Sequence, residues 1–145
     1  FNTWVANLTI PQAAILSAKL PFLSNWTSLR IEAANWYHSL LSGVVEIKLP
    51  KIAVGATHVY HLYVIRTERR DELQQYLTKE GVGTLIHYPI PPHLQEAYKH
   101  LGFKNGDFPI AEEIAKTCLS LPMYPGITRE EIEYVSNAII NFFKN

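Results

Sequence analysis

Residues 58–67 read HVYHLYVIRT, the stretch of the chain most typical of a β-strand. Valine, isoleucine and tyrosine dominate it, and these residue types suit a half-buried pleated surface. Residues 70–79 follow with the apolar spacing of an amphipathic helix, which Gly81 is suited to close. Residues 82–87 then return as a second strand. This order predicts a small sheet with a helix packed against it.

A long helical pattern precedes this unit, over residues 10–41. Thr9 suits the N-cap, and Pro11 suits the first turn, where its missing N–H costs nothing. Pro21 removes a hydrogen bond from the middle of the helix, so we expect a kink there. The remaining predicted elements are short strands over 44–49 and 119–122, a short helix over 93–101, a helix from the 106–109 turn to about Thr117, and a last helix opened by a capping box of Thr128 and Glu131.

These elements indicate an α+β fold, a small antiparallel sheet covered by helices with a long N-terminal helix. No repeat or linker divides the sequence. We therefore expect a single domain over residues 1–145, in which 1–43 form a connecting long helix and 44–145 form the α+β unit.

Composition narrows the range of functions. The 145 residues have a formal net charge of zero, which gives no electrostatic basis for binding nucleic acid. No apolar run reaches the roughly 18 residues of a membrane span. The single Cys118 excludes an internal disulfide and a cysteine-based zinc cluster, and the lack of a signal pattern agrees with a cytoplasmic location. The chain opens at Phe1, and we expect it to be a fragment.

Three stretches of sequence, taken in order, point to one enzyme family. The first is QAAILSAKL at 12–20, followed by Arg30 and by ANWY at 34–37. The second is HVYHLYVIR at 58–66, followed by RDEL at 70–73, GVGT at 81–84 and IHYPIPPHLQEAY at 86–98. The third is GDFPIAEEIAKTCLSLPMYPGIT at 106–128. In this order and spacing they resemble the C-terminal part of the DegT/DnrJ/EryC1/StrS aminotransferases.

The resemblance implies the small domain of a type I aminotransferase that depends on pyridoxal phosphate. Such enzymes are usually dimers and move an amino group from glutamate or glutamine to a keto sugar carried on a nucleotide. Their large N-terminal domain holds the Schiff-base lysine, the aspartate at the pyridine nitrogen and the phosphate cradle. We expect that domain to lie outside this chain, so that the chain alone holds no cofactor and is inactive. Its small domain is expected to cover the active site, with Trp26 and Trp36 as candidates to face the large domain.

The resemblance also places the substrate beside a proline-rich loop at 88–93. His87, Tyr88, His93 and Gln95 are the candidate substrate-binding residues, because a phenol or imidazole there can hydrogen-bond a sugar hydroxyl or a diphosphate oxygen. Loops on rigid scaffolds often carry such groups. The alternative is a loop that packs on its own domain, with its histidines bonded to backbone groups.

The cofactor edge departs from the family pattern. Members usually carry Asn, then Arg, then an acidic residue at alternate positions ahead of the first helix, and these places fall on Val5, Asn7 and Thr9. Val5 cannot replace the asparagine that helps hold the cofactor phosphate of the partner subunit. Asn7 is left as the candidate cofactor-binding residue, since it can supply one hydrogen bond.

Catalytic and metal sites are not expected in this chain. Lys104-Asn105 superficially matches the family's Lys-Asn pair, but its neighbours indicate a solvated turn. His58 and His61 would face opposite sides of a strand and cannot share a metal ion. Two alternatives to the enzyme fragment stay open, a stand-alone, cofactor-free module that binds sugar nucleotides and a dimerisation module.

Overall fold

The computed structural model describes residues 9–144. Its elements, in chain order, are α1 (Ile10–Lys19), a 3₁₀ turn (Leu20–Phe22), α2 (Leu23–Leu41), β1 (Tyr63–Arg66), α3 (Arg70–Lys79), 3₁₀ turns at Pro92–Leu94 and Glu96–Leu101, α4 (Pro109–Thr117), β2 (Cys118–Leu121) and α5 (Arg129–Lys144). The predicted α+β class, with a small antiparallel sheet and a long N-terminal helix, is confirmed.

The long helix over 10–41 is present and interrupted where expected. Thr9 is its N-cap, and its backbone N–H donates to Gln12 Oε1 at 2.9 Å. Pro21 lies in the 3₁₀ turn between α1 and α2, because proline cannot donate the helical hydrogen bond. Helix α1 has no buried residue. The buried residues of α2 are Ala33, Ala34, Tyr37 and Leu41.

The sheet consists of β1 and β2, paired antiparallel with Tyr63 opposite Leu121 and Arg66 opposite Cys118. Burial alternates along β1, as expected for a strand with one face in the core. All four residues of β2 are buried, and β2 pairs with β1 and makes a bridge with Leu85.

The prediction of strands over 44–49 and 82–87 is wrong. Each makes a single bridge to the sheet, through Lys48 and through Leu85 respectively. A proline directly follows the first segment and a glycine lies within the second. Both residue types weaken a continuous ladder, so the chain turns away after one pair.

The predicted strand over 58–67 begins only at Tyr63. The first half of the stretch bonds to a side chain and not to a strand: Arg30 Nη1 donates to the carbonyl of Tyr60 at 3.4 Å and to that of His61 at 3.1 Å. Tyr60 also has a φ of 47°, outside the extended region. A side chain from α2 thus replaces the neighbouring strand as hydrogen-bond partner.

The core lies between the sheet and helices α2, α3 and α5. Tyr37 of α2 stacks on Tyr63 of β1 with ring centroids 4.9 Å apart. The Tyr37 hydroxyl donates to the Pro122 carbonyl at 3.0 Å, which joins α2 to the end of β2. Other fully buried side chains are Leu41, Ile65, Leu73, Leu77, Leu119, Ile132 and Ile139.

The C-terminal elements follow the sequence signals closely. Helix α4 ends at Thr117 as predicted. The capping box of α5 is confirmed, with Glu131 N–H donating to Thr128 Oγ1 at 3.2 Å and Thr128 N–H donating to Glu131 Oε2 at 2.8 Å. The short helix predicted over 93–101 is instead a pair of 3₁₀ turns separated by Gln95, whose backbone is extended.

Candidate functional site

The loop over residues 86–95 runs beside β2 and is anchored to it by His87. His87 Nδ1 lies 2.9 Å from Oγ of Ser120, a buried residue of β2. The Cys118 thiol makes a weaker contact with the His87 carbonyl, at 3.8 Å. The Leu85 bridge to Ser120 fixes the backbone just before the loop. The half-buried imidazole is therefore held by a strand that is itself fully packed.

Tyr88 lies at the outer side of this anchor, with 70% of its surface exposed. Its ring meets His87 edge-on, with centroids 5.6 Å apart. The peptide bond between the two residues is cis. Ile90, two residues further along the loop, is also exposed. The structure thus brings His87 and Tyr88 together on one accessible face.

His93 and Gln95 use their polar groups inside the domain. His93 Nε2 lies 3.1 Å from Glu112 Oε1, and both side chains are only 8% exposed. The His93 ring also packs on Phe108, with centroids 4.8 Å apart. Gln95 Nε2 donates to the Ile90 carbonyl at 3.3 Å and so closes the loop on itself. His93 and Gln95 lie in the loop that contains Tyr88, but their hydrogen bonds are to residues of the domain itself and stabilise the loop.

Glu112 is the residue of this region that the sequence did not single out. Its Oε1 accepts from Gly106 N–H at 2.8 Å and from Phe108 N–H at 3.3 Å, and its Oε2 accepts from Gly106 N–H at 3.0 Å. Burial raises the pKa of its carboxyl, but the bonds from Gly106, His93 and Phe108 outweigh burial and hold that pKa below its ordinary value. The carboxylate is a buried, ionised acceptor.

A signal for Glu112 exists in the sequence. The turn at 106–108 leads directly into α4, and the first N–H groups of a helix need acceptors. An acidic residue in the first turn is usually a solvated partner of the helix dipole, so the sequence pattern alone does not predict a buried role for Glu112. Gly106, the first residue of this turn, has a φ of 99°, which lets its backbone N–H point at the carboxylate.

The surroundings of Lys104 do not fit a Schiff base with pyridoxal phosphate. Lys104 is exposed in a turn, where its N–H donates to Asp107 Oδ2 at 2.8 Å and its carbonyl accepts from Asp107 N–H at 3.2 Å. A Schiff-base lysine would need a ring pocket and a phosphate cradle beside it. Val5 and Asn7 lie outside the described residues, and Thr9 is occupied as the N-cap of α1.

Neither a metal centre nor a membrane span is found in the described part of the chain. No three His, Cys, Asp or Glu side chains there lie close enough to hold a metal ion. No helix there has the length and apolar character to cross a bilayer.

The fold described above, with its long interrupted helix and two-stranded sheet, superposes on part of solved aminotransferases. The model of the DegT/DnrJ/EryC1/StrS aminotransferase family matches residues 4–140. The chain belongs to this family.

Relatives of the chain include sugar-nucleotide aminotransferases. It is 44% identical over 136 residues to a pleiotropic regulatory protein of Geobacillus stearothermophilus, covering 92% of the chain and 37% of the relative. It is 42% identical over 128 residues to the dTDP-3-amino-3,6-dideoxy-alpha-D-galactopyranose transaminase of Aneurinibacillus thermoaerophilus, covering 88% and 34%. Among solved structures, Streptomyces venezuelae DesV in complex with a ketimine intermediate superposes with a TM-score of 0.89 at 40% identity, covering 92% and 36%. The chain spans little more than a third of each relative.

Proposed function

We propose that this chain is the C-terminal small domain of a pyridoxal phosphate-dependent aminotransferase that transfers an amino group from glutamate or glutamine to a nucleotide-linked keto sugar. Family membership over residues 4–140 supports the reaction class. Coverage of about a third of each relative supports a missing large domain, which would hold the cofactor. The chain alone would be inactive, and the parent protein a homodimer.

The His87–Tyr88 pair is the observation that supports nucleotide-sugar binding by this domain. Tyr88 presents an exposed hydroxyl, and His87 presents a ring whose other nitrogen is engaged by Ser120. A phenol and an imidazole can donate to diphosphate oxygens or exchange hydrogen bonds with sugar hydroxyls. The Aneurinibacillus relative is named for a dTDP-linked 3-amino sugar, so a dTDP-linked 3-keto hexose is the first substrate to test.

An exposed apolar surface where α1 meets α2 supports a partner domain within the parent protein. A groove of about 490 Å³ at this junction is lined by Leu16 of α1, Leu20 of the 3₁₀ turn, and Leu23 and Trp26 of α2, among others. An exposed apolar surface of this kind marks an interaction site. Trp36, the other tryptophan considered, packs instead against the chain's own core. We infer that the large domain covers the groove and that Trp26 contacts it.

A spectroscopic experiment separates the enzyme fragment from a cofactor-free binding module. Pyridoxal phosphate is added to this chain and to the full-length protein, and absorbance is recorded near the visible edge. We expect a band in the full-length protein only, discharged by glutamate. A full-length protein without such a band would refute the aminotransferase proposal and leave a sugar-nucleotide binder as the better account.

A titration tests the ligand face directly. The chain is titrated with dTDP and, separately, with UDP, and the dissociation constant is compared with that of Tyr88→Phe. Losing one hydrogen bond should weaken binding about 3- to 10-fold. Tyr98→Phe is the matched control, because Tyr98 is also an exposed tyrosine of this region. Equal affinity of the two variants would remove Tyr88 from the site.

A further inference from the structure

The carboxylate of Glu112 joins three separate parts of the chain. It belongs to α4, it accepts the N–H groups of Gly106 and Phe108 from the preceding turn, and it meets His93 from the proline-rich loop. A helix cap needs only the first two bonds. The contact with His93 therefore adds something beyond capping, namely a fixed distance between α4 and the loop.

The loop is held at two points with stiff chain between them. His87 fixes one end on Ser120, and His93 fixes the other end on Glu112. Three prolines lie between these anchors, and each restricts the backbone. The Gln95 bond to the Ile90 carbonyl shortens the span further. A chain segment with two fixed ends and few free torsions transmits a shift of either end to its middle.

The structure assigns to Glu112 the role of a positioning residue: through His93 it holds the 86–95 loop so that Tyr88 is presented to the ligand. This inference rests on the proposed function, since it takes Tyr88 to be the ligand contact. Glu112 is assigned no ligand contact of its own, because its side chain is only 8% exposed and its oxygens bond to Gly106, Phe108 and His93.

Glutamine is not a neutral replacement at this position. Gly106 N–H lies within 3.0 Å of both carboxylate oxygens, at 2.8 Å from Oε1 and 3.0 Å from Oε2. Whichever oxygen is replaced by an amide nitrogen, a donor then faces a donor. The Glu112→Gln variant keeps the shape of the side chain but breaks the pattern of acceptors.

The test uses this chain with four variants, Glu112→Gln, His93→Phe, the double variant, and Glu113→Gln as control. Glu113 is the adjacent glutamate of α4, exposed and paired with Arg66. The ¹H–¹⁵N resonances of Tyr88 and Ile90 report the loop without ligand, and titration with dTDP and UDP reports affinity. Thermal unfolding confirms that each variant is folded.

We expect Glu112→Gln and His93→Phe to move the Tyr88 and Ile90 resonances. Each should weaken nucleotide binding by up to the roughly 3- to 10-fold loss expected for Tyr88→Phe, because both act by displacing Tyr88. The double variant should bind no more weakly than Glu112→Gln alone, because that change already disrupts the contact with His93. Glu113→Gln should change affinity less than about 2-fold.

Unmoved loop resonances in Glu112→Gln, or effects of the two changes that multiply in the double variant, would overturn the assignment. If Glu112→Gln does not fold, His93→Phe decides, since it leaves the bonds to Gly106 and Phe108 intact. If the unmodified chain binds neither nucleotide, the proposed ligand face fails, and the resonances still decide whether Glu112 positions the loop.

Discussion

Replacing Tyr37 with phenylalanine should destabilise the chain, whereas the same change at Tyr63 should not. The two rings are both almost fully buried and stack on each other with centroids 4.9 Å apart. The Tyr37 hydroxyl donates to the Pro122 carbonyl at 3.0 Å. The Tyr63 hydroxyl is buried, and no described residue is its hydrogen-bond partner. Each substitution removes one oxygen and leaves the ring in place.

The expected magnitudes follow from the state of each hydroxyl. Tyr37→Phe breaks a bond and leaves the Pro122 carbonyl without its donor, which costs about 1–2 kcal/mol of unfolding free energy. Tyr63→Phe removes a buried group that has lost its hydration without a bond in return, so the variant should be between neutral and about 1 kcal/mol more stable. The two variants should therefore differ by about 2 kcal/mol, in favour of Tyr63→Phe.

Urea unfolding followed by circular dichroism measures this difference, provided that both variants keep the m-value of the parent chain. Near-ultraviolet spectra check that the ring stack persists. A loss of stability in Tyr63→Phe equal to that in Tyr37→Phe would show that the Tyr63 hydroxyl is bonded, and the reasoning from its unpaired state would be refuted.

Three further outcomes are expected. Burial, and secondarily neighbouring tyrosines, raise the pKa of Tyr37 and of Tyr63, so above pH 10 the unfolded chain loses these protons before the folded chain does. The unfolding free energy should therefore fall by up to about 1.4 kcal/mol per pH unit for each tyrosine. Urea titrations at several pH values should show a shallower slope for Tyr37→Phe. Thr128→Ala should cost about 1 kcal/mol by the same assay, since it removes the acceptor of the Glu131 N–H, and an unchanged midpoint would contradict the cap. Leu20→Gln should change stability by less than about 0.5 kcal/mol while lowering the binding of an apolar dye, because Leu20 is exposed and its 3₁₀ turn has no buried residue. A large loss of stability would show that Leu20 packs within the chain.

Helices were predictable from the sequence because their signals are local. Helix α3 has the predicted bounds, Arg70–Lys79, and α5 opens on the predicted capping box. Pro21 marks the interruption of the long helix for a reason internal to the backbone. In each case the residues that decide the structure lie within a few positions of the structure they decide.

Strands were predicted less well because their partners lie far away in sequence. The first half of the 58–67 stretch has strand composition, yet its carbonyls bond to Arg30 of α2. Arg70 of α3 also has partners far away in sequence, because its buried guanidinium donates to the carbonyls of Ala115 at 3.2 Å and Cys118 at 3.3 Å. An arginine at the start of an amphipathic helix gives no local sign of such a role.

The site shows the same division. The sequence predicts a loop with four candidate residues, but whether a polar atom there faces a ligand or an internal partner depends on what the fold places behind it. Glu112 lies behind His93, and its lowered pKa keeps it ionised as pH falls below the ordinary carboxyl range. The stabilisation that it contributes is present above that ordinary pKa and is lost only as pH falls through the lowered value. The Glu112 carboxylate behind the loop therefore stays ionised at neutral pH and keeps its acceptors for Gly106 and Phe108.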